Sequence, residues 1–246
     1  MESSPAIPAA TLVVVREVAG GAPELLMVER AEGMAFAGGA LVFPGGRIDD
    51  NDRELAAGDE AAAAVAAIRE TVEETAIPVA LSPVPSPELA LDMQRELLAN
   101  QPLARILERQ SLALKLEELV AFARWVPKFH ATRRFDTLFF LARAPGPGWE
   151  PSVIEGECSG ASWITAAKAL ERDRSGKARL IFPTRRNLER LALHDSFEAM
   201  LADAKAHPVA PISPWVEQVE GENFITIPDG IGYPVTRERL DGLWRG

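Results

Sequence analysis

Hydrophobic and polar positions follow three rhythms along this chain, and each predicts a different element. Thr11 to Val18 is rich in β-branched residues and predicts a strand. Gly20-Gly21 and Pro23 predict a turn, and Leu25 to Val28 a returning strand, so the start reads as a β-hairpin. The apolar run Ala40 to Phe43 ends in Pro44-Gly45-Gly46, a strand followed by a turn. Asp49 to Asp59 is acidic and polar and predicts a surface loop. Glu60 to Thr75 has helical composition, with Asp59 as N-cap and Pro78 as terminator. After the Pro-rich stretch Ser82 to Ser86, Pro87 opens a strongly helical region reaching about Ala123, which Pro102 divides in two. Phe135 to Ala142 predicts a strand, Ser162 to Ile164 a short strand, Ala166 to Arg172 a helix and Thr184 to Ala206 a helix. Ile212 to Ile227 predicts a hairpin turning at Glu220-Gly221.

Composition narrows the class. A chain of 246 residues, 47% hydrophobic and 25% charged, can bury one substantial core. The expectation is a single domain over residues 1–246 with a helical insertion at about 87–123. The formal charge of −10 disfavours nucleic-acid backbones and anionic membrane surfaces as partners, while it favours divalent cations. No apolar stretch is long enough for a transmembrane helix, and no signal peptide is visible. With Cys158 alone, the chain has no internal disulfide and no zinc-finger spacing, which fits a reducing, cytoplasmic setting.

The chemistry concentrates in Arg69-Glu70-Thr71-Val72-Glu73-Glu74. On a helix, Glu73 and Glu74 lie about −60° and about +40° from Glu70, so three carboxylates share one stripe. Their mutual repulsion is relieved by a cation, and hard cations such as Mg²⁺ take carboxylate oxygens while keeping waters for substrate phosphates. A solvated acidic helix face is the alternative from these residues alone.

With Phe43-Pro44-Gly45-Gly46-Arg47 upstream, the chain resembles the Nudix hydrolase family. The family signature runs Gly, five residues, Glu, seven residues, then Arg-Glu-apolar-any-Glu-Glu-any-Gly-apolar. Gly46, Arg69, Glu70, Glu73, Glu74 and Ile77 match it. The gap from Gly46 to Arg69 holds 22 residues where the signature has 13, so nine are extra. Counting back from Arg69 places the signature glutamate at Ala61, and Glu60 is the candidate substitute. Thr71 replaces the apolar residue and Ala76 the last glycine. Downstream, Thr132-Arg133-Arg134-Phe135-Asp136-Thr137 and Phe182-Pro183-Thr184 resemble the Nudix subgroup that contains the animal peroxisomal coenzyme A diphosphatase.

The resemblance implies an α/β fold, the Nudix α/β/α sandwich with a mixed sheet, carrying an inserted helical lobe that covers substrate or forms a homodimer interface. It implies metal-dependent hydrolysis of a diphosphate linkage in a small nucleoside diphosphate derivative, with coenzyme A or acyl-CoA as first candidate. Glu70, Glu73 and Glu74 would hold Mg²⁺ or Mn²⁺. Arg69 would orient a carboxylate, with Glu73 also in the reaction, and Glu157 would be the base or an extra ligand. Arg47, Arg133 and Arg134 would meet substrate phosphates. For these arginines a surface ion pair, with Asp136 as one partner, stays open, as does a solvated loop position for Glu157. A reading of a different class is a catalytically silent Nudix fold that binds a nucleotide and regulates a partner, motivated by the displaced glutamate and Ala76. Isolated His130, His194 and His207 lack ligand spacing.

Overall fold

The computed structural model describes residues 5–33, 37–126, 134–154, 156 and 158–240. Its elements in chain order are β1 (Ile7–Arg16), β2 (Glu24–Arg30), β3 (Leu41–Val42), β4 (Gly45–Arg47), α1 (Asp50–Glu54), α2 (Asp59–Thr75), β5 (Leu81–Ser82), α3 (Pro87–Leu98) and α4 (Leu103–Gln110). There follow β6 (Ala113–Leu114), β7 (Val120–Trp125), β8 (Phe135–Arg143), β9 (Cys158–Thr165), α5 (Ala166–Arg174), α6 (Phe182–Leu191) and α7 (Phe197–Ala206). The chain continues through β10 (Pro211–Ile212), β11 (Trp215–Val219), β12 (Glu222–Thr226) and β13 (Arg237–Arg239).

The main sheet is mixed and runs β10-β7-β8-β1-β2-β3, with β4 on β1 and β9 on β2. β1 lies parallel to β8 over its whole length but touches β2 only at Val15↔Leu25 and Arg16↔Glu24. The two hairpin strands then splay. β4 occupies the opening, with Ala9↔Arg47, Ala10↔Gly46 and Thr11↔Gly45, and Leu12 N–H donates to the Pro44 carbonyl at 3.0 Å. This wedge carries the Pro-Gly-Gly turn into the middle of the sheet.

β1 is buried on both faces, and its side chains alternate between two cores. Ala10, Leu12 and Val14 pack with α2, α3 and α4, whereas Val13 and Val15 pack with α5, α6 and α7. Helices thus cover both faces, and the expected α/β architecture is present.

Local departures have physical causes. The helical region does not extend to Ala123: after α4, Val120–Trp125 pairs with β8 and joins the main sheet. Pairing with a distant strand outweighs the helical propensity of its alanines. The lobe that remains packs Met93, Leu97, Ile106 and Leu107 onto α2, so α2 is buried from Ala62 through Arg69, lobe on one side and sheet on the other. Asp59 is the first helical residue of α2 and Gly58 its N-cap. Thr184 to Ala206 is two helices, because Ser196 caps a new start by accepting from Ala199 N–H. The terminal hairpin turns at Glu220-Gly221 as expected and gains β13 as a third strand.

Candidate active site

The site forms where the β4 turn meets the last turns of α2. Gly45 lies so close to β1 that a Cβ would stand 2.4 Å from the Ala10 carbonyl oxygen. A Cβ on Gly46 would stand 2.3 Å from Glu70 Oε1. Any side chain at Gly46 would therefore occupy the space against this carboxylate. Gly45 N–H donates to Glu74 Oε2 at 3.1 Å, tying the turn to the helix from the other side.

Arg69 organises the acidic residues. Its Nε and one terminal nitrogen donate to the two Asp52 oxygens at 2.9 and 3.0 Å, a bidentate pair. It also donates to Glu70 at 2.9 Å, to Glu73 at 3.5 Å and to the Arg47 carbonyl at 2.9 Å. Asp52 is 1% exposed and sits in α1, where it also accepts from Asp49 N–H at 2.9 Å. The acidic stretch expected to be a plain surface loop therefore contains a short helix with one carboxylate turned inward.

Asp52 corrects the assignment of the displaced signature glutamate. Glu60 is exposed in the first turn of α2. Arg69 takes its bidentate partner from Asp52 instead, which stands six residues after Gly46, the signature's own spacing when counted forward. The nine extra residues lie between Asp52 and Arg69. Counting backward across the insertion hid this match, and counting forward reveals it.

Glu70 and Glu74 face the turn together. Burial pushes the Glu70 carboxyl up to about 7, with the Glu73 and Asp52 charges acting in the same direction against the pull of Arg69. Burial and the neighbouring Glu70 push Glu74 up to about 8, opposed by the Gly45 amide, Arg30 and Cys158. The Cys158 thiol, at the start of β9, lies 3.5 Å from the other Glu74 oxygen. Glu73 is turned toward Arg69 and keeps 26% of its side-chain exposure. Among the described residues, no three acidic, His or Cys side chains already stand in a metal-ligand arrangement. The fit to a cation rests on the paired, buried carboxylates, and glycine at Gly46 is what lets the Glu70 carboxylate lie against the turn.

The expected phosphate contacts divide. Arg47 is exposed and pairs through its backbone with Ala9. The Arg134 carbonyl accepts Ile7 N–H at 2.7 Å, which places Arg134 across β1 from Arg47 at the same end of the strand. Arg133 and Glu157 lie outside the described residues. Asp136 pairs with Arg124 through two short hydrogen bonds. Sequence reasoning missed Arg30, at the end of β2. It lies opposite Cys158, its charge acts on Glu74, and among the described residues its buried Nε has no hydrogen-bond partner. Its place at the end of an apolar strand was the one signal in the sequence.

A model of the NUDIX domain matches residues 6–101, covering the turn, α1, α2 and the first lobe helix. A NUDIX hydrolase from Alicyclobacillus acidocaldarius, known from its crystal structure, is 32% identical with a TM-score of 0.70, and the match covers 80% of this chain and 96% of that one. The chain belongs to the Nudix hydrolase family. A Caenorhabditis elegans protein named "Putative nudix hydrolase 7" is 26% identical over 215 residues. That match takes in 82% of this chain, which spans 66% of the length of the curated relative.

Proposed function

We propose that this Nudix hydrolase cleaves a diphosphate linkage in a nucleoside diphosphate derivative, with Mg²⁺ or Mn²⁺ held by Glu70 and Glu74 and supported by Glu73. The observation that carries the proposal is the pair of buried carboxylates, raised to about 7 and about 8, with Glu70 packed against Gly46 and Glu74 accepting from Gly45 N–H. Arg69 acts on Glu70 and Arg30 on Glu74, yet burial holds both toward the protonated form, and a divalent cation would favour the ionised pair. Bound there, the cation would neutralise the diphosphate and acidify an attacking water.

The chain's residues divide the remaining work. Arg69, fixed by Asp52, holds Glu70 and Glu73 in place. Arg30, Arg47, Arg133 and Arg134 are the candidates to meet the substrate phosphates as guanidinium groups do. Glu157, which immediately precedes Cys158, takes the proton from water. The water oxygen bonds to one phosphorus, the bond from that phosphorus to the bridging oxygen breaks, and two phosphate monoesters leave. Coenzyme A or an acyl-CoA is the first substrate candidate, resting on the resemblance of the segments at Thr132 to Thr137 and Phe182 to Thr184. Residues 1–246 would act as one Nudix unit, with the α3–α4 lobe as its insertion. The silent-regulator reading rests on the displaced glutamate and on Ala76, and Asp52, bidentate on Arg69, weighs against the first of these.

The test is a hydrolysis screen with Mg²⁺ or Mn²⁺ over coenzyme A, ADP-ribose and NADH, with products read by mass. Turnover should require the metal, and Glu74→Gln should lower it on the order of 10³-fold while the fold survives. Equal rates in variant and parent would reject the assignment, and nucleotide binding without turnover would revive the regulator.

A further inference from the structure

Gln94, in the middle of α3, is 0% exposed. Its Nε2 donates to the Glu73 carbonyl at 3.1 Å and to the Ser152 carbonyl at 2.8 Å. Both partners are carbonyl oxygens, so the amide orientation is fixed by chemistry: only the NH₂ group can face them. The cost is visible on the other side of the same amide, where among the described residues the buried Oε1 has no hydrogen-bond partner. Leucine or methionine at the position would avoid such a buried orphan acceptor. The two donated bonds are therefore what this position supplies.

Those bonds join three segments. Glu73 lies in the last turn of α2, between the two glutamates facing the β4 turn. Ser152 belongs to the segment that leads from β8 to β9, and its own N–H donates to the Thr75 carbonyl at 2.9 Å. Six residues further on, Cys158 meets Glu74. Ser152 and Cys158 are thus each tied to the last turn of α2, and the lobe reaches in to complete the first tie.

We infer that Gln94 is a positioning residue, through which the helical lobe sets the spacing between the metal-holding turn of α2 and the Ser152–Cys158 segment that carries the proposed base. This rests on the hydrolytic reading above. The lobe then acts as a buttress from behind the catalytic helix.

The experiment compares Gln94→Met with Met93→Ala in the full chain. Met93 is the buried neighbour on α3 whose truncation weakens lobe packing yet leaves both Gln94 bonds intact. Hydrogen–deuterium exchange of peptides covering 150–158, Mn²⁺ binding by electron paramagnetic resonance, and kcat and KM on whichever of coenzyme A, ADP-ribose or NADH the parent hydrolyses are measured together. For Gln94→Met, exchange in 150–158 should rise at least about tenfold and kcat fall about 10- to 100-fold, with Mn²⁺ affinity and KM within about threefold of parent. Met93→Ala should lower the melting temperature and leave exchange in 150–158 and kcat close to parental. If both variants lower kcat alike, or if 150–158 exchanges normally in Gln94→Met, the positioning role is overturned. A parent inert on every substrate would sink the hydrolytic reading instead, while the exchange comparison would still judge the anchor.

Discussion

Two buried arginines, one at each end of the molecule, carry opposite lessons. Arg190 in α6 is 2% exposed and donates to Asp203 at 2.7 Å and to the Phe122 carbonyl at 3.2 Å, while its plane lies over the Phe122 ring. One cation meets one carboxylate there, and the pair closes the C-terminal helices onto the sheet edge. Arg69 is nearly as buried, yet it serves Asp52, Glu70 and Glu73 at once, with Glu74 just beyond. Arg69 and Arg30 together do not hold these carboxylates ionised, since Glu70 and Glu74 keep their protons up to about 7 and about 8. Full pairing marks a structural joint, and buried carboxylates pushed toward the protonated form mark a candidate place for a cation.

The sharpest way to break this contrast is at the balanced end. Arg190→Met leaves Asp203 with His194 and His207 alone, and stability should fall by about 3 kcal/mol in chemical denaturation, the low end for a broken buried pair, with kcat of the folded fraction unchanged. A comparable loss of kcat would mean that the C-terminal joint takes part in the reaction.

At the surplus end, Asp52→Asn keeps the shape but weakens the grip on Arg69. Metal affinity or turnover should drop about 10- to 100-fold, as for groups that orient ligands from behind. The same change at Glu60 should leave both unaltered.

Acidity offers a third comparison. Folded metal-free Glu70 and Glu74 hold protons up to about 7 and about 8, whereas the unfolded chain releases them near the ordinary carboxylate value of 4.5. The folded state binds more protons in that window, so metal-free stability should decline from about pH 5 to about pH 8. A cation holds the ionised form, so the rise in melting temperature on adding Mg²⁺ should be larger at the alkaline end. A gain independent of pH would place the cation elsewhere.

The smallest effect concerns the end of α2. Ala76 takes a left-handed conformation at φ 56°, where the family signature has glycine. Ala76→Gly should stabilise by roughly 0.5–1 kcal/mol with activity retained, because the Cβ strain it removes exceeds the added chain entropy.

The box helix and the Pro-Gly-Gly turn were legible in the sequence because each depends on neighbours within a few residues. Asp52 was legible too, but only from one end of the insertion. β7 was not, since its state is decided by pairing with β8, and Val120 to Ala123 alone suits a helix as well. Arg30 and Gln94 were invisible for a related reason. Their meaning lies in partners at Glu74 and Ser152, 44 and 58 residues away. Arg133 and Glu157 stand as proposals from the sequence.

The clamp between Asp52 and Arg69 frees the chain that joins them. Sixteen residues span that interval instead of the signature's seven, the first six ahead of α2 and the last ten within it. Residues 53–58 are the ones that can change in length or surface without shifting the glutamates, since α2 is buried from Ala62 through Arg69. A search for kindred chains should therefore treat the signature as two words with an elastic space between them, one ending at the acidic residue six after the glycine and the other beginning at the arginine.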